Sequence, residues 1–125
     1  MVKGIGIDIV EIQRVEDCIR KYGDHFLKKV FSGPEISYCQ RKERPAVHFA
    51  GRWAAKEAFF KALPPRCQGA ASWKSVQILA SDSGRPVIDV CGTELGKLLK
   101  KASIAHAHLS ISHERSLCAA FVVAE

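Results

Sequence analysis

Residues 46–63 read Ala-Val-His-Phe-Ala-Gly-Arg-Trp-Ala-Ala-Lys-Glu-Ala-Phe-Phe-Lys-Ala-Leu, and the periodicity of this stretch decides the fold. Ala, Lys and Glu favour a helix, and Pro64-Pro65 ends it. At about 100° per residue, Phe49, Trp53 and Phe60 share one side, while Gly51, Ala55, Ala58 and Ala62 share the opposite side. Both sides can pack, so the helix is expected to be buried nearly all round, with the rest of the chain wrapped about it. Glu57 and Lys61 fall one turn apart in one gap between the two stripes, and Arg52 and Lys56 fall in the other. These gaps are either solvated edges carrying an ordinary i,i+4 pair or the walls of a cleft.

Working outward, residues 4–10 alternate as a buried strand, with Ile5, Ile7 and Ile9 on one face and Gly4, Gly6, Asp8 and Val10 on the other. Residues 11–22 have helical spacing and stop at Gly23. Residues 26–31 form a short apolar-basic segment, also helical. Ser32 or Gly33 caps a further helix with Pro34 in its first turn, running to about Arg44 and ended by Pro45. Residues 72–81 and 85–90 read as strands around a turn at Asp82-Ser83-Gly84, residues 92–102 as a helix, and residues 105–112 and 117–124 as a hairpin turning at 113–116. Strands and helices mix without regular alternation, which predicts an α+β fold with a mostly antiparallel sheet packed on the long helix.

The length of 125 residues suits one domain, 1–125. Hydrophobic residues at 47% and charged residues at 26% are those of a globular protein and exclude a disordered tail, a collagen-like rod or a coiled coil. The longest uncharged runs, 102–113 and 116–124, are too short to span a bilayer, and the first residues carry no apolar secretory segment. Five cysteines, an odd number with no C-x-x-C pair, fit free thiols in a reducing cytoplasm. A net charge of +6 points to an anionic partner without choosing one.

Asp8 stands out because a carboxylate inside an apolar strand needs a partner. Gly6, two residues earlier on the same face, leaves room beside it. Asp8 is either a metal ligand or general base, or a strand-end cap for the following helix. Asp8 and Glu57 together would suit Mg²⁺, which takes one or two carboxylates and fills its other positions with water and phosphate. Lys61, Arg52 and Lys56 would neutralise those phosphates. His106 and His108 share a strand face but lack a third ligand, and surface or core histidines fit them better. His113, at the turn, suits an anion. There is no P-loop, G-x-G-x-x-G or G-x-S-x-G element, no Ser/His/Asp set and no nucleic-acid-binding signature.

Gly4-Ile5-Gly6-Ile7-Asp8-Ile9-Val10-Glu11-Ile12 with Arg14, then Phe49-Ala50-Gly51-Arg52-Trp53-Ala54-Ala55-Lys56-Glu57-Ala58 with Lys61, resemble the holo-acyl-carrier-protein synthases, the small bacterial type of 4′-phosphopantetheinyl transferase. Phe31, Glu35 and Tyr38, the Gly84-Arg85-Pro86 turn and the closing Leu109-Ser110-Ile111-Ser112-His113 extend the likeness over nearly the full length. The resemblance implies transfer of the 4′-phosphopantetheine arm of coenzyme A to a serine of apo acyl-carrier protein, with adenosine 3′,5′-bisphosphate leaving. It implies that Asp8 and Glu57 hold Mg²⁺, and that Glu57, directly or through a metal-bound water, serves as base. Lys61 would lie on the pyrophosphate, and Arg52, Arg85, Pro86 and His113 at the nucleotide end. It also implies a homotrimer with each coenzyme A between subunits.

Two stretches depart from the family pattern. Pro64-Pro65-Arg66-Cys67 replaces a glycine loop, and the basic Arg41-Lys42-Glu43-Arg44 has no unique alignment. Arg14 and Lys21, seven residues apart on the first helix with Arg20 adjacent and Lys28 continuing the spacing, are expected to dock the acidic carrier, with Arg14 outside the phosphate cleft. A different class, a non-enzymatic basic module for nucleotide or nucleic acid, would account for the charge but not for Asp8 and Glu57 in apolar settings. Binding that weakens steeply with salt and needs no Mg²⁺ would mark that alternative.

Overall fold

The computed structural model describes residues 1–125. The chain runs β1 (Gly4–Glu11), α1 (Ile12–Tyr22), α2 (Asp24–Val30), α3 (Gly33–Gln40), α4 (Pro45–Ala62), α5 (Pro65–Gln68), a 3-10 turn (Trp73–Ser75), β2 (Val76–Ala80), β3 (Pro86–Val90), α6 (Thr93–Lys101), β4 (Ala107–Glu114) and β5 (Leu117–Ala124). Pro45 starts α4, where its missing N–H costs nothing. Twelve of the helix's eighteen residues are buried, so the expectation of a central buried helix holds. The apolar packing is divided along the helix axis rather than around it. Ala46, Val47, Phe49 and Ala50 pack with α1, α2 and Phe31. Ala54, Ala55, Ala58, Phe59 and Ala62 pack with β2, α6 and β5.

Every strand pairing is antiparallel. β2 and β3 form a separate two-stranded sheet, and the larger sheet has the order β1-β5-β4. Its register sets Gly4 opposite Ala124 and Asp8 opposite Ala120. Cys118, Ala120, Val122 and Ala124 of β5 are buried on the helix side. β1 meets α4 through Gly4, Gly6, Asp8 and Val10. Gly6 does not leave room beside Asp8 as expected: a Cβ there would overlap the Ala58 carbonyl oxygen, and one on Gly4 would overlap that of Ala62. The glycines let the strand lie directly on the helix backbone. Gly6→Ala is expected to destabilise the fold by about 3 kcal/mol, the upper end of overpacking costs, because backbone cannot yield as a side chain can. A lowered urea midpoint at unchanged slope would show it.

The opposite face of β1 corrects a second expectation. The strand is not buried on both sides, since Ile5, Ile7 and Ile9 are 61%, 57% and 62% exposed. Phe121, the register partner of Ile7, and Leu117 are exposed with them. Smaller differences follow from local chemistry. α3 stops at Gln40, and Pro45 opens α4 instead of closing α3. Residues 73–75 form a 3-10 turn before β2. His113 lies within β4 and not in the turn. The Ser32 hydroxyl does cap α3, accepting from the Glu35 N–H, while the Glu35 carboxylate accepts from the Ser32 N–H. The structure holds no disulfide, and all five cysteines are free thiols. Burial pushes the Cys39 thiol up to about 12, so it packs as a neutral group. No helix is long and apolar enough to cross a membrane.

Candidate active site

Strand β1 and helix α4 each deliver one carboxylate to a shared cleft of about 370 Å³ lined by Asp8, Ile9, Val10, Arg14, Trp53, Glu57 and Trp73. Asp8 reaches it because the glycines of β1 bring the strand against α4. The Lys61 ammonium, one helical turn beyond Glu57, donates to Asp8 Oδ1 at 3.0 Å and to the Ile7 carbonyl at 3.1 Å. Lys61 therefore pairs with Asp8 across the strand–helix contact and not with Glu57 along the helix. Its side chain is 55% exposed, against 18% for Asp8, so the cation can be drawn toward a ligand. Glu57 Oε1 accepts from the indole Nε1 of Trp73 at 2.8 Å. Each carboxylate is thus held by one oxygen, and the other oxygen makes no protein hydrogen bond.

That donor set fits a hard divalent cation: two carboxylate oxygens from the protein, with water and ligand phosphate completing the shell. No group of three or more metal-ligating side chains gathers anywhere in the structure, so a fully protein-ligated ion has no cage here. His108 turns instead to Glu125, 3.0 Å away. That contact, with the charge of the imidazole, lowers the Glu125 carboxyl from its ordinary value.

Lys56 lies elsewhere than the sequence suggested. It is wholly buried, and its ammonium spends all three protons on Val30 O, Glu35 Oε1 and Trp73 O at 2.7, 2.8 and 2.8 Å. It cannot neutralise a phosphate. Burial pulls its pKa down, and the Glu35 carboxylate opposes that pull. Arg52, its neighbour on the helical wheel, faces a different group. It is 6% exposed and lies 4.1 Å from the Tyr38 ring centroid, with the Lys42 ammonium 4.5 Å from the same ring. Arg52 Nε is buried without a partner. Lys42, Arg44, His48, His113 and Arg115, with one carboxylate, Glu43, line a recess of about 500 Å³. Burial, and then the charges of Arg52, Lys42 and His113, hold the His48 pKa below its ordinary value. This concentration of cations has the electrostatics of an anion site.

Arg85 and Pro86 line a third groove, between the β2–β3 hairpin and β4. Lys21 lines a fourth, on the surface of α1, together with Arg14. Arg14 corrects an expectation, because it also lines the carboxylate cleft, with its guanidinium 5.8 Å from the Trp53 ring centroid.

Residues 4–122 match the family model of the 4′-phosphopantetheinyl transferase superfamily. The chain belongs to that superfamily. A holo-[acyl-carrier-protein] synthase of Syntrophus aciditrophicus is 42% identical over 125 residues, covering 100% of this chain and 97% of the relative. Among solved structures, the holo-[acyl-carrier-protein] synthase of Neisseria meningitidis superposes with a TM-score of 0.87 at 33% identity, covering 100% and 99% of the two chains. That of Helicobacter pylori, in complex with coenzyme A, superposes with a TM-score of 0.80 at 30% identity, covering 97% and 99%. In this phosphopantetheinyl transferase the structure brings Asp8, Glu57 and Lys61 together, leaves His113 in one separate recess and Arg85 with Pro86 in another, and buries Arg52 against Tyr38. Trp73 and His48, which line the recesses, and Tyr38, which carries Arg52 on its ring, were not singled out for chemistry by the sequence. Their common signal, an aromatic or imidazole group beside a charged helix face, becomes visible only once the fold is known.

Proposed function

We propose that this chain transfers the 4′-phosphopantetheine group of coenzyme A to a serine of apo acyl-carrier protein, releasing adenosine 3′,5′-bisphosphate. The observation that carries the reading is the pair of carboxylates, Asp8 and Glu57, each anchored by one oxygen in a single cleft beside the exposed Lys61. Asp8 and Glu57 are the residues that would hold Mg²⁺, which when bound supplies charge neutralisation on the phosphoryl group and its leaving bisphosphate. Lys61 moves from Asp8 to the pyrophosphate. Glu57 accepts the serine proton, directly or through a water. The serine oxygen then forms its bond to phosphorus as the bond to the bisphosphate breaks. Trp53, Trp73 and Val10 restrict water around the reacting groups. The basic module without catalysis accounts for none of these carboxylate contacts.

Arg52 and His113 are assigned to the nucleotide end, including its 3′-phosphate, with Arg85 and Pro86 beside the adenosine. The buried, unpartnered Arg52 Nε supports this. Charge-assisted contacts to phosphate are worth about 1.5–3 kcal/mol, so Arg52→Ala and His113→Ala should each weaken coenzyme A at least tenfold more than dephospho-coenzyme A. Calorimetric titration with both ligands reads the difference, and equal losses would remove both residues from the 3′-phosphate.

On one chain His113 borders one recess and Arg85 with Pro86 another, and Ile5, Ile7, Ile9 and Phe121 form an exposed apolar face. Both features support a homotrimer with each coenzyme A in a cleft shared by two subunits, and the free thiols fit the cytoplasm. Arg14 and Lys21 form the docking face for the acidic carrier. Because Arg14 also borders the carboxylate cleft, Lys21→Glu is the selective variant. It should raise the KM for carrier about tenfold at low salt and leave that for coenzyme A unchanged, whereas Arg14→Glu should raise both. Steady-state kinetics with each substrate varied separates the two.

The decisive experiment incubates the protein with coenzyme A, Mg²⁺ and apo carrier and weighs the carrier. A phosphopantetheine adduct that disappears on chelation of the metal is the expected result. An unmodified carrier in the presence of Mg²⁺ overturns the reading.

A further inference from the structure

We propose that Trp73 is a positioning residue for Glu57, its indole N–H fixing one carboxylate oxygen so that the other is presented to the cleft. The inference rests on the reading of Glu57 given above. Consecutive residues of α4 grip Trp73 at both ends: Lys56 Nζ donates to its backbone carbonyl at 2.8 Å, and Glu57 Oε1 accepts from its indole at 2.8 Å. The backbone there has little freedom. The Ser72 N–H donates to Ser75 Oγ at 2.8 Å, that hydroxyl donates to the Ser72 carbonyl at 2.6 Å, and Lys74 Nζ donates to the Phe31 carbonyl at 2.9 Å. The ring is braced edge-on by Trp53, with centroids 6.2 Å apart at 89°. A donor fixed at backbone and ring thus holds the end of a flexible, half-buried glutamate that would otherwise lose rotamer freedom only when ligand binds. The indole has no proton to give or accept at neutral pH, so Trp73 acts on the reaction only through Glu57. The buried Glu35–Lys56 pair extends the support. Glu35 Oε2 accepts from the Ile78 N–H at 2.9 Å, and the pair anchors the start of β2 and the Trp73 carbonyl to the helix that carries Glu57.

Trp73→Phe keeps an aromatic ring and the carbonyl contact, and removes the N–H donor with part of the ring, two losses that the Glu57→Ala background separates. It should lower kcat about tenfold, the lower end of what a lost supporting hydrogen bond costs a catalytic ligand, and leave the KM for coenzyme A within about twofold. In a Glu57→Ala background the same substitution should cost nothing further, the non-additivity expected of residues acting as one unit. Independently of activity, the ligand-free protein carries two tryptophans. Its ¹H–¹⁵N spectrum therefore shows two indole N–H signals, and Glu57→Ala should shift that of Trp73 and leave that of Trp53 near its original position. A folded Trp73→Phe variant with full turnover, an equal loss in the Glu57→Ala background, or an indole signal indifferent to Glu57 each overturns the proposal. Normal turnover in Glu57→Ala would instead overturn the reading of Glu57 and, with it, any catalytic consequence of Trp73, while the indole shift would still report the bond.

Discussion

Asp8→Ala and Glu57→Ala are each expected to lower kcat about 10³-fold, a loss of about 4 kcal/mol of transition-state stabilisation at 1.36 kcal/mol per decade. Both carboxylates keep one oxygen without a protein partner, and both face the cleft where the phosphoryl group would be transferred. Neither substitution should unfold the protein. Asp8 contributes an ion pair to a lysine that is more than half exposed, and such pairs are worth at most about 1 kcal/mol. Glu57 contributes one hydrogen bond to Trp73, worth about the same. Melting temperatures within about 5 °C of wild type, beside a kcat about 10³-fold lower, are the expected pair of results. Turnover within tenfold of wild type in either folded variant would show that its carboxylate does not take part in the chemistry.

The largest effect on stability is expected at Lys56. Lys56→Met leaves the Glu35 carboxylate fully buried without its cation, and leaves the Val30 and Trp73 carbonyls without a donor. Breaking a buried pair from one side costs about 3–5 kcal/mol, a large part of the 5–15 kcal/mol that holds a typical domain. For a chain of this size the melting temperature should fall by roughly 10–20 °C. Replacing both members, Lys56→Met with Glu35→Leu, should recover only part of the loss. The Ser32 and Ile78 amides, which now donate to Glu35, would then be orphaned in their turn. A single variant that melts like wild type would show that water reaches the pair in solution.

Lys56 also marks where sequence reading reaches its limit. Helix α4 was legible because its small and aromatic residues repeat at helical spacing and prolines border it. Glu57 was legible as a carboxylate beside an apolar stripe. Arg52 and Lys56 occupy the same gap on the wheel, and nothing local distinguishes them. Their different surroundings come from Glu35 and Tyr38, which reach the helix from α3. The isoleucines of β1 show a related limit. Alternation identified the strand and its two faces, but an apolar face looks the same in sequence whether its cover comes from the same chain or from another surface. Gly6 stands out in the sequence beside Asp8, but what it admits is the backbone of α4 and not space for the carboxylate. Trp73 carried no local mark at all. Its bond to Glu57 depends on a 3-10 turn where the sequence suggested continuous strand.

The central place of β5 in the larger sheet governs the order in which the molecule can be assembled. β1, which carries Asp8, pairs only with β5, and the register joins Gly4 to Ala124. Closing a loop over nearly the whole chain is entropically the most expensive step of the topology and among the slowest. During synthesis, helices α1 to α4 leave the ribosome long before residues 117–124 exist to receive the first strand. Glu57 can therefore be in its helix while Asp8 still sits on a strand with unpaired backbone, the condition in which nascent chains are most prone to associate wrongly. Until the final strand arrives, only the packing of the β1 glycines on α4 can hold the strand of Asp8 beside the helix of Glu57, and β5 then fixes the register of β1.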